Sequence, residues 1–186
     1  MSEEPLPLYP YREEGWLRYL IPRWMPESLF EVTAERLAAL EIRGVILDMD
    51  NTLTEWHSGQ ITAEVLGWIK GLHDQGFRTC VLSNTHREDR LKALCEQLGV
   101  DYLLGSKPRR RGFRAAMLKL GTVAEQTAVI GDQIFTDVLG GNRTGLYTIL
   151  VPPLSKSEFV GTKWISRRLE KILFAFLDRK HRVTRN

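Results

Sequence analysis

Gly44-Val45-Ile46-Leu47-Asp48-Met49-Asp50-Asn51-Thr52 decides how this 186-residue chain is read. Its first four residues form a short apolar run with Val45 and Ile46 β-branched, the pattern of a strand buried on both faces. Such a strand needs helices over both sides of its sheet. The run then breaks into Asp48 and Asp50 around Met49, with Asn51 and Thr52 behind them. Acidic and hydroxyl groups therefore fall just past the carboxyl end of a strand, where parallel sheets bind their ligands.

Downstream, helix and strand patterns alternate. Ile61 to Gln75 has apolar residues at Val65, Leu66, Trp68, Ile69 and Leu72, a helical spacing, and Gly76 stops it. Phe77 to Leu82 reads as a second strand, Arg87 to Leu98 as a helix ended by Gly99, and Tyr102 to Leu104 as a third strand. Arg110 to Leu120 is a helix ended by Gly121, and Thr127 to Ile130 is a fourth strand. Thr136 to Leu139 begins a short helix that Gly140-Gly141-Asn142 closes, and Leu146 to Val151 is a fifth strand. Upstream, Thr33 has the character of a helix N-cap. Strands separated by helices predict an α/β fold, a doubly wound (Rossmann-like) parallel sheet of about five strands. Residues 1–15 are expected to be an irregular, proline-bearing extension, and 16–186 a single domain with a final helix at 157–180.

Composition excludes several classes. Hydrophobic residues are 43% and charged residues 26%, as in ordinary globular proteins. A net charge of +3 gives no reason to expect nucleic acid as a partner. Cys80 and Cys95 are too few for a disulfide framework and read as buried free thiols. No apolar run is long enough to span a bilayer, and the acidic start has no signal-peptide plan. The expected location is cytoplasmic, with any membrane contact peripheral.

Four groups at strand ends carry the chemistry. Asp48 can attack phosphorus, and Asp50 can protonate the leaving oxygen and then activate water. Two carboxylates this close call for a cation between them, which points to Mg²⁺. The competing reading of Asp48-Met49-Asp50-Asn51 is a strand-ending turn. Ser83 and Asn84 can bind phosphate oxygens; Ser83 could instead cap a helix, with Thr85 as a rival. Lys107, before Pro108, can neutralise the phosphate; otherwise it is a loop lysine facing solvent. Arg109-Arg110-Arg111 is a solvated helix start or a basic rim for an anionic substrate. Asp132, after Gly131, can complete a Mg²⁺ site, and Asp137 can support Lys107 or the metal's waters from behind. His57 and His86 lie just past motif loops and are lesser candidates for substrate contact.

These residues resemble the four motifs of the haloacid dehalogenase (HAD) superfamily. Asp48, Asp50 and Thr52 match Asp-x-Asp-x-Thr, Ser83 the second motif, Lys107 the third, and Gly131, Asp132 and Asp137 the fourth. The resemblance implies an aspartyl-phosphate intermediate, with Asp48 as nucleophile and Asp50 as acid and base. It implies Thr52, Ser83, Asn84 and Lys107 around the phosphate, and Asp48, Asp50 and Asp132 around Mg²⁺. Leu47 to Leu53, Lys107-Pro108, Gly112-Phe113-Arg114 and Gly131 to Arg143 are similar to the YqeG-type subgroup. Eukaryotic relatives of that subgroup hydrolyse phosphatidylglycerophosphate, so the implied substrate is an anionic phospholipid at a membrane surface.

Two residue-level features bear on the substrate. The motif spacing leaves little or no room for a cap over the site. The predicted helix 157–180 sets Ile165, Leu169, Ile172, Leu173, Phe176 and Leu177 on one face amid Lys163, Arg167, Arg168 and Lys171. That composition suits an interfacial helix on anionic lipid, or one that packs its stripe on the sheet and solvates its charges. The alternatives are a phosphatase of a soluble ester or phosphoprotein, and a basic RNA- or membrane-binding module with a vestigial site.

Overall fold

A computed structural model describes residues 15–55 and 58–154. Five strands, β1 (Gly44–Leu47), β2 (Arg78–Ser83), β3 (Asp101–Leu104), β4 (Thr127–Gly131) and β5 (Tyr147–Leu150), form one sheet in the order β3-β2-β1-β4-β5. All four pairings are parallel. The order reverses at β1, which places a crevice beyond the ends of β1, β2 and β4.

The pleat of the strands divides the core in two. Val45 and Leu47 of β1, Val81 of β2, and Ala128 and Ile130 of β4 enter one cluster. Ile46, Cys80, Leu82 and Val129, on the alternate positions, enter the other. The first face is covered by α1 (Ala34–Ala39), α2 (Ala63–Asp74) and α3 (Glu88–Leu98), through Leu37, Val65, Ile69, Leu72, Leu91, Leu94 and Leu98. The second is covered by α4 (Arg110–Leu120), through Phe113, Ala116 and Leu120, with α5 (Leu139–Thr144) packed beside it. Apolar residues three, four and seven apart give each long helix a single stripe to bury.

Caps agree with the local chemistry. Thr33 Oγ1 accepts from the Arg36 N–H (3.4 Å) to start α1, and Thr62 Oγ1 accepts from the Val65 N–H (3.3 Å) to start α2. The β5 edge does not face solvent bare. The Arg23 and Trp24 N–H groups donate to the Thr148 carbonyl (2.9 and 3.2 Å), and the Leu150 N–H donates to the Trp24 carbonyl (3.0 Å). Trp24 is buried, so this proline-flanked segment blunts an edge that could otherwise pair with another chain. At the other edge, β3 stays partly exposed. The thiols of Cys80 and Cys95 are both buried, and burial pushes them up to about 11 and about 12. Among the described residues no helix is long and apolar enough to cross a membrane. The predicted helix 157–180 and residues 1–14 lie outside the described residues.

One expectation fails. Gly140 and Gly141 do not close the helix that follows Asp132; they lie inside α5, which ends at Gly145. Space, not chain reversal, explains them. A Cβ on Gly140 would overlap the ring of Phe113 and come within 3.1 Å of Pro108 Cα, and one on Gly141 would reach Val129 Cγ1 at 2.5 Å. Their bare backbones let α5 lie close to α4 and the sheet. Phe113 is fully buried and has no way to yield. We therefore expect Gly140→Ala to cost about 1–3 kcal/mol through overpacking, and Phe113→Leu in the same chain to recover part of it. Thermal denaturation of the single and double variants checks this; an unchanged midpoint in Gly140→Ala would contradict the packing account.

Candidate active site at the carboxyl ends of the strands

Asp48 follows β1 directly, and its N–H still donates to the Ile130 carbonyl of β4 (2.9 Å). Met49 is fully buried in the core. The alternation of an extended chain then sets Asp48 and Asp50 on the same side, and both line one cleft of about 370 Å³. Asn51 turns the chain back in the left-handed conformation (φ 63°), which asparagine tolerates. Its N–H donates to the Thr54 carbonyl (2.7 Å), closing the turn.

Lys107 arrives from the loop after β3. Asn84, just past β2, holds that loop from both sides: the Lys107 N–H donates to Asn84 Oδ1 (2.7 Å), and Asn84 Nδ2 donates to the Lys107 carbonyl (3.0 Å). The Lys107–Pro108 peptide bond is cis. So placed, Lys107 Nζ donates to Asp48 Oδ1 (2.5 Å) and Asp137 Oδ1 (2.7 Å). All three side chains are almost completely shielded from solvent.

Asp137 belongs to a π-helical turn, Ile134–Val138, that runs into α5. Single π-turns of this kind occur disproportionately at functional sites. Asp137 Oδ2 accepts from the Gln133 N–H and the Thr136 hydroxyl, both at 3.3 Å. A Cβ on Gly131 would collide with the Asp137 carboxylate, so the glycine of this motif makes room for the acid. Asp132 completes the group. Ligand oxygens of Asp48, Asp132 and Asp137 all lie within 4.8 Å of one another.

The electrostatics follow from burial. Burial pushes the Asp48 carboxyl up to about 6; Lys107 opposes that rise and Asp137 adds to it. Burial works against the Lys107 ammonium too, but Asp137 and Asp48 outweigh it and raise its pKa, so it stays charged. Asp48, Asp132 and Asp137 converge, and the ammonium of Lys107 meets two of these three carboxylates. A hard dication with oxygen ligands fits that donor set and that excess of negative charge. Because Asp137 already accepts three hydrogen bonds, Asp48 and Asp132 are the side chains best placed to hold it.

Other predicted residues are distributed less evenly. Ser83 ends β2 almost buried, and its Oγ accepts from the Thr85 N–H (3.2 Å) instead of capping α3. Thr85 Oγ1 likewise accepts from the Arg87 N–H (3.1 Å). Ser83, Asn84, Lys107 and His86 all line the cleft. Thr52 does not: it is fully buried, and its hydroxyl makes no hydrogen bond among the described residues. His57 lies outside the described residues. The Asp50 carboxylate is not part of the three-acid cluster, and Arg90 holds it instead, with Nη1 to Asp50 Oδ1 at 2.8 Å.

Arg90 is the site residue that sequence reading missed. It lies in the first turn of α3, outside the motifs, and only the fold brings it to Asp50. Its Nε also donates to the Ser58 carbonyl (2.9 Å), so one guanidinium ties α3 to both ends of the turn after β1. A larger hollow of about 690 Å³ lies at the opposite ends of the strands, against Glu41, Arg43, Gln75 and Arg78. It has no converging carboxylates, and it opens at the wrong end of a parallel sheet for catalysis.

The arrangement resembles known proteins at three levels. A family model described as HAD-hydrolase-like matches residues 105–153. The chain is 34% identical over 167 residues to Bacillus subtilis (strain 168) probable phosphatase YqeG, covering 89% of this chain and 96% of that protein. It is 28% identical over 171 residues to the Arabidopsis thaliana chloroplastic/mitochondrial phosphatidylglycerophosphate phosphatase 1, covering 87% of this chain but 48% of that longer protein. Among solved structures, an uncharacterized protein from Listeria monocytogenes serotype 4b superposes with a TM-score of 0.52 at 19% identity, covering 63% of this chain and 85% of that one. That likeness speaks for the fold alone.

Proposed function

Because the chain belongs to the HAD-like hydrolases and is a phosphatase of that family, we propose that it is a Mg²⁺-dependent phosphomonoesterase with Asp48 as nucleophile, acting on phosphatidylglycerophosphate. The observation that carries the chemistry is the position of Lys107 Nζ, bridging Asp48 and Asp137 with Asp132 beside them.

In the first half-reaction an Asp48 carboxylate oxygen forms a bond to phosphorus as the ester P–O bond breaks, giving an aspartyl-phosphate. Asp50 gives its proton to the departing alkoxide. In the second, Asp50 takes a proton from water, the water oxygen bonds to phosphorus, and the P–O bond to Asp48 breaks. Inorganic phosphate leaves and Asp48 is regenerated. Lys107 neutralises charge on the transferred phosphoryl group, and Asp137 holds the ammonium in place. Ser83 and Asn84, which line the same cleft, would face the same oxygens. Asp48 and Asp132 would hold Mg²⁺, which would supply further charge neutralisation for the phosphoryl group.

Three features support a lipid substrate. Among the described residues, no element separates β1 from α2 to roof the cleft. Phe135 stands exposed between Gln133 and Thr136, which both line it, and Trp16 is 68% exposed on a turn packed against the same π-helical segment. Arg109, Arg110 and Arg111 are exposed beside Lys107. A mouth with bulky apolar groups and a basic rim suits an anionic lipid surface. The Arabidopsis relative's name points the same way. The expected location is then peripheral, on the inner face of a membrane.

The test is phosphate release from phosphatidylglycerophosphate in mixed micelles, beside a small soluble phosphate ester. Release should stop with EDTA and return with excess Mg²⁺. Hydrolysis of the soluble ester with the lipid untouched would keep the chemistry and remove the lipid assignment.

A further inference from the structure

We propose that the α3 wall of the cleft, formed by His86, Arg87 and Arg90, is a subsite for a second anionic group, a phosphate or phosphodiester carried on the substrate's leaving alcohol. The inference rests on the phosphatase reading above and names a feature its substrate must have.

Arg90 is the anchor. Its guanidinium is fixed by two hydrogen bonds, Nη1 to Asp50 Oδ1 and Nε to the Ser58 carbonyl. Its Nη2 is buried and has no hydrogen-bond partner among the described residues. A buried charged donor left without a partner is costly, and natural sites keep such a group when a ligand completes it. Arg90 itself lines the cleft, with His86 and Arg87 beside it. Arg87 is the residue just before α3, and Arg90 lies in its first turn. The nearby Glu88 turns its carboxylate to the Tyr102 hydroxyl on β3 (3.4 Å).

Geometry separates this wall from the phosphoryl site. The transferred phosphoryl group belongs at Asp48 and Lys107. Asp50 must reach the leaving oxygen, so whatever that oxygen is attached to passes Asp50 next. The group beyond Asp50 is Arg90. Guanidinium groups favour phosphate through paired, planar hydrogen bonds. An alcohol carrying a second phosphate a few bonds from the first would meet Nη2 there, with Arg87 and His86 flanking it. A simple monophosphate would leave the wall unused.

Equilibrium binding to the intact protein in Mg²⁺ tests this without depending on turnover. Two soluble probes suffice: glycerophosphoryl-glycerophosphate, with two phosphates, and glycerol 3-phosphate, with one. Phosphatidylglycerophosphate in mixed micelles is the third arm. The unmodified protein should prefer the two-phosphate probe, and Arg90→Gln and Arg87→Gln should each reduce that preference, Arg90→Gln by about tenfold or more. Arg87 is exposed, so its variant reads the subsite without disturbing Asp50. The same loss for the soluble and micellar ligands would mean that the second anion alone is recognised. Loss only with micelles would place that anion in a lipid headgroup. A preference unchanged in both variants, or absent from the unmodified protein, would overturn the proposal and leave Arg90 as a holder of Asp50. Failure to hydrolyse the lipid with the preference intact would instead count against the substrate reading alone.

Discussion

Lys107→Met should melt roughly 10 °C below the unmodified protein in EDTA and retain less than about 1% of its activity. Methionine nearly fills the lysine volume, so the loss is electrostatic and not a cavity effect. Without the ammonium, Asp48 and Asp137 face each other buried and unmatched, with Asp132 close by. Breaking a buried charge pair by removing one partner costs about 3–5 kcal/mol. A domain of this size loses about 2–4 °C per kcal/mol. The same reasoning predicts a sign for metal. Mg²⁺ should raise the melting temperature of Lys107→Met more than that of the unmodified protein, because a dication can replace part of the missing charge. Activity should not return, since the phosphoryl oxygens still lack their ammonium. Calorimetry with and without Mg²⁺ checks both halves. A variant as stable as the parent in EDTA would mean that the three acids are not held together by Lys107.

Asp48→Asn should lose at least about 10⁴-fold in kcat, more than 5 kcal/mol of barrier, whatever phosphate ester is supplied. Asparagine keeps the shape of the side chain and can still accept from Lys107, so folding should survive where chemistry does not. A matching far-ultraviolet spectrum and cooperative melt would separate the two. Loss of only a few-fold would make Asp48 a binding group, and a water directly activated by Asp50 would then be the better mechanism.

The sheet was legible because its signals are local and redundant. Val45-Ile46-Leu47 and Thr127-Ala128-Val129-Ile130 are apolar runs, Gly99 and Gly121 stop the helices before strands, and Thr33 and Thr62 start helices with their own side chains. The convergence of Asp48, Lys107 and Asp132 follows from their places just past strand ends, and Asp137 joins them from the π-helical turn after β4. What escaped depends on contacts distant in sequence. Gly140 and Gly141 read as helix stops because a glycine's need for closeness to Phe113 or Val129 leaves no trace nearby. Arg90 reads as an ordinary exposed helix residue, since Asp50 lies forty residues away. Trp24 gave no strand signal between Pro22 and Pro26, because its pairing with Ile149 is a single bridge at the sheet edge. The burial of Thr52 likewise depends on how the turn after Asp50 folds.

The central claim is that phosphate passes through Asp48. Rapid quenching of the enzyme during turnover, reduction with borohydride and peptide mass spectrometry tests it most directly, since an acyl phosphate on aspartate is reduced to homoserine. Homoserine at position 48, present only with substrate and Mg²⁺ and absent from Asp48→Asn, is the predicted result. Sustained turnover with Asp48 unmodified, or modification at Asp50 instead, would contradict it.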